Sequence, residues 1–246
     1  MDEWAGDFKK KLDSLLLKHG VDFWGGVAVE QYENMTNDKK KESVNWLLPS
    51  SYFPEGNMKT VAVLGKSVLK GNLKNPGKYT ARHNITVNEQ LNCALLEICR
   101  MLDGGGYETF GQFTIVQNFS PPDDYRLLQS DVVPSKIIAK MADLGNVGWH
   151  NLFIHKIYGA RVRLTTLITE AEPDLFQDTN IKGDAKGASF SAAKECDQCY
   201  QCVKSCPVKA ISRSQGYDAN QCWKYNHSLQ QKWGYSGCGR CMYHCK

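Results

Sequence analysis

The cysteines of this 246-residue chain are concentrated near its end, where eight of the ten lie beyond residue 195. The first four follow the pattern Cys-x2-Cys-x2-Cys-x3-Cys-Pro, and they are Cys196, Cys199, Cys202 and Cys206. The other four are one separate cysteine and a Cys-x2-Cys-x3-Cys group, namely Cys222, Cys238, Cys241 and Cys245. Thiolates are ligands for soft metal centres, and short spacings bring several of them to one centre. The segment therefore predicts metal binding.

The first pattern has the spacing of bacterial ferredoxins, in which three thiolates bind one [4Fe-4S] cluster and the fourth, which precedes proline, binds its neighbour. Zinc is the alternative, but zinc sites favour two separated pairs of ligands. We therefore predict two [4Fe-4S] clusters, close enough to pass single electrons between them. By the exchange rule, the first is bound by Cys196, Cys199, Cys202 and Cys245, and the second by Cys206, Cys222, Cys238 and Cys241.

A disulfide module is another possible use of so many cysteines. The first 20 residues lack a cationic region followed by an apolar one, and no run of 18 apolar residues occurs, so we expect a cytoplasmic protein without a membrane segment. Cytosolic thiols stay reduced, which favours metal ligation over disulfides. A hydrophobic content of 42% and a charged content of 23% are typical of a globular protein and exclude long disorder.

The formal net charge is +4, which gives little support to a nucleic-acid partner. The short basic runs at 9–11 and 39–41 lie in separate segments and are typical of solvated helix faces. Each oxidised [4Fe-4S] core with four thiolates adds about −2. Two clusters would therefore offset nearly all of the apparent basicity.

Hydrophobic periodicity and turn residues predict interleaved helices and strands in the first 170 residues. The predicted helices cover residues 7–18, 38–48, 86–102 and 135–144. The predicted strands cover residues 21–29, 61–64, 113–117, 152–155 and 162–169. A capping box from Thr86 to Glu89 marks the start of the third helix, and we expect Cys93 and Cys99 to be buried on it.

The predicted fold class is α+β, with two domains. A polar stretch with two glycines, from Glu170 to about Ala188, predicts the boundary between an α+β domain over 1–185 and a cluster-binding domain over 186–246. The second domain has few aliphatic residues, so we expect its fold to depend on the metal.

Several stretches resemble one group of reductases. The cysteine pattern, together with QCWKY at 221–225, is similar to the iron-sulfur module of epoxyqueuosine reductases and of the related corrinoid-dependent reductive dehalogenases. LGNVGWHN at 144–151 resembles their LGxxGKN segment, and YGARVRLTTLIT at 158–169 resembles their YGxxVxLxxxxTD strand. Asp131-x2-Pro134 resembles their DxxP motif. The match is good over about 125–246 and loose over the first 120 residues.

The resemblance implies a nitroreductase-like sheet-and-helix domain that binds cobalamin, followed by a ferredoxin-like module whose clusters reduce the cobalt. It assigns the role of proton donor to Asp131, and corrin contacts to Gly148, Asn151, Gly159 and Arg161. It also implies a low-potential electron donor, such as a ferredoxin or flavodoxin, and a small-molecule substrate.

The sequence departs from the family pattern at three places. Trp149-His150 replaces the lysine of GKN, Lys246 follows Cys245 where the family has proline, and the helical repeats by which epoxyqueuosine reductases bind tRNA are not found. We therefore expect no tRNA substrate and no membrane partner.

Two alternatives remain open from the sequence. A non-catalytic electron carrier, or reductive activator of a partner corrinoid protein, would use the same cysteines. A flavin could replace cobalamin, although no nucleotide-type glycine motif supports it. His150 and His155 either face a cofactor or are ordinary core histidines.

Overall fold

The computed structural model describes residues 3–38, 46–74, 77–114, 132–177, 196, 198–234 and 237–245. The helices are α1 (Glu3–Lys18), α2 (Val29–Asp38), α3 (Pro49–Tyr52), α4 (Lys70–Leu73), α5 (Lys78–Gly104), α6 (Ser135–Met141), α7 (Gln201–Ser205), α8 (Ala219–Trp233) and α9 (Arg240–His244), with a 3-10 turn at Pro173–Phe176. The strands are β1 (Phe23–Ala28), β2 (Thr60–Ser67), β3 (Thr109–Gln112), β4 (Gly145–Val147), β5 (Phe153–His155), β6 (Val162–Thr169), β7 (Ile211–Ser212) and β8 (Gly216–Tyr217).

The centre of the first domain is a four-stranded antiparallel sheet with the strand order β1-β2-β6-β3. The central strands alternate strictly: Ala62 and Leu64 join the core with α1 and α5, while Val61 and Val63 join the core with α2 and α6. Helices therefore cover both faces of the sheet, so both sets of side chains of β2 are buried. The result is a three-layer α+β arrangement, in agreement with the predicted class.

Glycines allow other elements to approach the edge strand β1. A Cβ on Gly25 would lie 2.8 Å from the Cβ of Ala142, just after α6, and a Cβ on Gly26 would lie 2.9 Å from the Cβ of Phe176. On the neighbouring strand, Gly65 pairs with Phe23, whose ring lies flat over the glycine. The absence of side chains at these positions therefore fixes how closely the layers pack.

Most predicted elements of the first domain are confirmed, because α1, β1, β2, α6, β5 and β6 lie where the hydrophobic pattern placed them. Of the helix predicted over 38–48, Asp38 is the last residue of α2, residues 46–48 are not helical, and residues 39–45 lie outside the described part. Tyr32 and Thr36 are buried four residues apart, so the apolar face lies earlier in the chain. The predicted strand over 113–117 also lies earlier, as β3, and residues 115–117 are outside the described part.

Helix α5 begins eight residues before its predicted start. Thr86 is not a cap; its Oγ1 donates to the carbonyl of Arg82 at 3.0 Å, as a threonine inside a helix does. The first turns of α5 pack on the C-terminal segment, where a Cβ on Gly237 would lie 2.7 Å from the Cβ of Ala81. Of the two cysteines on α5, Cys99 is buried as predicted, but Cys93 is exposed, because it lies on the solvent side of the helix.

The C-terminal segment, from residue 196 onward, packs on the first domain through α9 and α4. Met242 of α9 forms a small buried cluster with Val68 and Leu73. The Gly77 N–H donates to the carbonyl of Gly237 at 3.1 Å. The predicted boundary lies within residues 178–195, outside the described residues. No helix among the described residues is long and apolar enough to span a bilayer.

The Gly65–Phe23 contact makes a direct test of the fold. We expect Gly65→Ala to lower the free energy of unfolding by about 1–3 kcal/mol, because its methyl group would overlap the Phe23 ring at the centre of a buried sheet. Urea unfolding followed by circular dichroism would measure the change. Gly6→Ala in α1 is the matched control, since nothing lies within 4 Å of its Cβ position and alanine favours helix. A loss at Gly6 equal to that at Gly65 would contradict this packing.

Candidate metal centre and adjoining cavity

The two groups of closely spaced cysteines are built on the same backbone. In each, a residue in the left-handed region follows a cysteine, Tyr200 with φ 50° and Gly239 with φ 62°. A five-residue helix follows, α7 or α9, and it ends at a cysteine in extended conformation, Cys206 or Cys245. In both, the N–H of that last cysteine donates to the carbonyl four residues earlier at 3.1 Å. The two arms therefore present their last three cysteines in matching positions.

Four thiols lie together around the end of the second arm. Burial, followed by the nearby thiols of Cys196, Cys202 and Cys199, raises the pKa of Cys245 to about 12. Burial, followed by the proximity of Cys196 and Cys199, also raises the pKa of Cys202. We call these four residues the first thiol group. Although Cys245 is distant in sequence, the fold places it with the first pattern.

The other four thiols form the second thiol group. Burial raises the pKa of Cys241 to about 12, with further contributions from Cys238 and Cys222. The pKa values of Cys222 and Cys238 are raised first by burial and then by proximity to other thiols, Cys206 among them. Cys202 of the first group also raises the pKa of Cys241, so the two groups adjoin. All ten cysteines are free thiols.

Among the described residues, no three His, Cys, Asp or Glu side chains are placed to hold one metal ion. A [4Fe-4S] cluster takes one thiolate at each of its four iron corners, so each group has the number of thiols that one cluster would require.

Asn226 was not identified from the sequence, and it links two parts of the second group. Its Nδ2 lies 3.5 Å from Sγ of Cys222, one turn earlier on α8, and its Oδ1 accepts from the N–H of Cys238 at 3.2 Å. The backbone N–H of Ala210 donates to Sγ of Cys206 at 3.2 Å. The spacing Cys222-x3-Asn226, which is one turn of a helix, was the available signal.

The glycine-rich segment contacts the first arm through an aromatic pair. The ring of Trp149 meets that of Tyr200 edge to face, with centroids 5.4 Å apart. The guanidinium of Arg213 lies 5.3 Å from the Tyr200 centroid. Trp149, one of the two residues that replace the family lysine, therefore helps to cover the loop between Cys199 and Cys202.

A cavity of about 600 Å³ separates the second thiol group from the first turns of α5. Arg163 of β6 forms part of its wall, and its Nε donates to Oδ1 of Asn88 at 2.8 Å. Burial lowers the pKa of Arg163, but a guanidinium stays charged at neutral pH. Among the described residues no carboxylate pairs with it. The cavity therefore has a fixed positive charge and four cysteines in its walls.

Both candidate histidines are buried and neutral. Burial lowers the pKa of each to about 4. Nδ1 of His150 accepts from the N–H of Leu152 at 3.1 Å, and His150 lines the cavity. His155 stacks on Phe23 with centroids 4.0 Å apart, and its Nδ1 accepts backbone N–H groups, which is the behaviour of a core histidine. Of the two, His150 is therefore the one placed to meet a ligand.

The four residues assigned to a corrin are not gathered around this cavity. Gly148 and Gly159 belong to tight turns, since the N–H of Gly148 donates to Leu152 and that of Gly159 to His155, both at 3.0 Å. The Nζ of Lys136 donates to Oδ1 of Asn151 at 2.6 Å. None of these three residues lines the cavity, and Arg161 does not line it either. Asp131 lies outside the described residues.

Comparisons with known proteins identify solved structures with a similar fold. No family model and no curated protein matches the sequence. The structure is similar to epoxyqueuosine reductase from Streptococcus thermophilus, with a TM-score of 0.55 and 16% identity over 96% of this chain and 65% of that one. It is similar to an epoxyqueuosine reductase determined with a tRNA-Tyr stem loop, with a TM-score of 0.55, 16% identity, and coverage of 98% and 65%.

It is also similar to a reductive dehalogenase studied for B12-dependent dehalogenation, with a TM-score of 0.64 and 17% identity over 95% of this chain and 31% of that one. The chain thus spans less than two thirds of the length of these proteins. At this identity the likeness establishes the fold, in agreement with the resemblance of the motifs.

Buried thiols make the stability of the metal-free protein depend on pH. The folded thiols stay protonated well above pH 9, whereas the unfolded chain loses those protons near pH 8.5, so the native state binds more protons and stability falls as pH rises. From pH 9 to pH 10 we expect a loss of on the order of 1 kcal/mol for a thiol as buried as Cys241. Urea unfolding of chelator-treated protein at several pH values would measure it.

Two controls isolate the cause of this slope. Cys241→Ala should remove the contribution of this thiol to the decrease in the free energy of unfolding with pH. The metal-loaded protein should not show this decrease, because its thiolates are already ionised. An equal slope with and without metal would contradict the assignment.

Proposed function

We propose that the chain is an iron-sulfur reductase with two [4Fe-4S] clusters, one on each thiol group. The observation that supports this most is the division of eight thiols into two groups of four on matching arms. Eight thiols are the number that two such clusters require. The grouping also matches the exchange predicted from the spacing, in which each arm supplies its last cysteine to the neighbouring cluster.

The arrangement suggests a direction of electron flow. Cys199 of the first group is exposed, so the first cluster would lie nearer to solvent and receive electrons from a carrier. The second group borders the cavity, so the second cluster would pass electrons to a molecule bound there. Cys202 and Cys241 lie where the groups adjoin, and the clusters would exchange single electrons across that contact.

The residues around the second cluster would set its reduction potential. Hydrogen bonds to ligating sulfurs stabilise the more negative, reduced state. Asn226 and the N–H of Ala210 are placed to donate such bonds to Cys222 and Cys206. Arg163 would hold an anionic group of the acceptor, because its terminal nitrogens have no carboxylate partner among the described residues.

Cobalamin is the acceptor suggested by the likeness to a B12-dependent dehalogenase. When bound, it would supply a cobalt centre that is a stronger reductant than any side chain. Gly148, Asn151, Gly159 and Arg161 do not line the cavity of about 600 Å³, and their assignment to a corrin stays a prediction. We therefore derive no step through cobalamin, and Asp131 remains a predicted proton donor.

The competing function is a non-catalytic electron carrier. The same eight thiols would serve both functions. The likeness in fold to two kinds of reductase favours a reductase over a carrier. A flavin would need a glycine motif that binds its phosphate, and none is found among the described residues that line the cavity.

Exchange of the last cysteines can be tested by pairwise comparison of variants. We expect Cys245→Ala to damage the same cluster as Cys199→Ala, and Cys206→Ala to damage the same cluster as Cys238→Ala. After anaerobic reconstitution each variant should retain about four irons, and members of a pair should share one EPR spectrum when reduced. If Cys245→Ala instead matched Cys238→Ala, the exchange would be wrong.

The proposed function is tested by reconstituting the protein anaerobically with iron and sulfide, with and without hydroxocobalamin. We expect about eight irons per chain after desalting. Two tightly bound zinc ions and no cluster spectrum would refute the proposal. Retention of one cobalamin per chain would identify the acceptor, and a Cys93→Ala control should leave both contents unchanged because Cys93 belongs to neither group. Eight irons without reduction of any small acceptor would favour the carrier.

A further inference from the structure

Positive charge is concentrated in two segments that contain no acidic residue. Residues 66–88 hold five Lys or Arg, and residues 219–246 hold four. Because the whole chain has a formal charge of only +4, the remaining residues are net acidic. Such a separation of charge is not required by the fold, and it predicts a surface that interacts with anions.

The fold packs these two segments against each other. A Cβ on Gly77 would lie 3.7 Å from the ring of Trp233, at the end of α8. Leu73 of α4 packs on Met242 of α9. We call the exposed cations of the two segments the basic face: Lys70, Lys74, Lys78, Arg82, Lys224, Lys232 and Arg240, of which Arg82 and Arg240 also line the cavity.

Aromatic rings lie within this face and are covered by its lysines. Nζ of Lys70 lies 5.7 Å from the Tyr243 centroid, and Nζ of Lys78 lies 5.2 Å from that of Tyr79, which is 74% exposed. Lys232 lies over Trp233 in the same way, at 5.4 Å. Exposed aromatic rings are typical of protein interfaces, and the lysines beside them add charge that can steer a partner.

Helix α9 connects the basic face with both thiol groups. Helix α9 includes Cys241 of the second group and is followed by Cys245 of the first. Tyr243 lies between these cysteines in sequence, and Lys70 contacts its ring from the face. A protein bound here would therefore sit against the helix that joins both groups.

We propose that the basic face is the docking surface for an acidic electron-carrier protein of the ferredoxin or flavodoxin type. This inference rests on the proposed function, because a docked carrier needs clusters to reduce. Opposite charge steers such a partner and raises the association rate, while rim charges add little to the strength of the final complex. The partner would deliver one electron at a time to the cluster on the first group.

A nucleic acid is the competing occupant of a basic, tyrosine-containing surface. Binding of single strands uses open aromatic faces on which bases stack. Among the described aromatic residues of this face, Tyr79 is widely exposed, whereas Trp233 and Tyr243 are only partly exposed. The face adjoins the helix that carries Cys241 and ends at Cys245, which favours a protein that must approach the thiol groups.

The test is anaerobic stopped-flow reduction of the two-cluster protein by reduced flavodoxin, and separately by reduced ferredoxin, at increasing NaCl. The triple variant Lys70→Gln, Lys74→Gln, Lys78→Gln should lower the second-order rate constant about 10-fold at low salt and flatten its salt dependence. The matched control, Lys10→Gln, Lys18→Gln, Lys140→Gln, changes the net charge equally at exposed lysines elsewhere and should behave like the native protein.

Photoreduction with 5-deazaflavin, a small reductant, separates this inference from the proposed function. All variants should be reduced by it at the native rate if the clusters are present. Native kinetics of the triple variant with both carriers, or deazaflavin reduction without reduction by either carrier, would overturn the docking surface. Loss of tRNA stem-loop binding in the triple variant, with unchanged kinetics of reduction by both carriers, would also overturn the docking surface. Failure of deazaflavin reduction would instead refute the clusters.

Discussion

The close grouping of eight ionisable thiols, most of them partly buried, is the constraint on which the C-terminal segment of the structure depends. Without metal, burial raises the pKa of Cys241 and Cys245 to about 12, so the fold resists the thiolate form. Iron reverses this preference, because a positively charged core neutralises much of the charge of its thiolates. Cluster binding would therefore supply folding free energy to the module rather than merely occupy a finished site.

The module has little else to hold it together. Its buried hydrophobic residues, among those described beyond residue 195, are Ala210, Ile211, Leu229 and Met242. Two of its elements, β7 and β8, are two residues long. The module instead packs against the first domain, where Met242 contacts Leu73 and Gly237 lies against Ala81. That contact creates the cavity, since its walls come from α5 on one side and the second thiol group on the other.

The features that could be predicted were those with a pattern in the local sequence, such as cysteine spacing or hydrophobic alternation. The cysteine spacing indicated the pairing of Cys245 with the first pattern, and the alternation of Val162, Leu164 and Ile168 gave β6 one face toward α2 and α6. Contacts between distant segments had no such signal. The start of α5 depends on a glycine near the chain end, and Arg163 reaches Asn88 across 75 residues. The corrin residues were assigned by resemblance, and in the structure Gly148 and Gly159 serve turns.

The charge of Arg163, in one wall of the cavity, faces the second thiol group in the other wall. His150 is neutral at pH 7, because burial lowers its pKa to about 4, so it adds no charge. Arg163 keeps a fixed positive charge, oriented by Asn88 before any ligand arrives. With the proposed cluster on the second thiol group, a molecule bound in the cavity would lie between that cluster and the guanidinium. Its negative charge would increase when it accepts an electron. A preorganised cation at the place where negative charge develops is the arrangement that reduction of a bound acceptor requires.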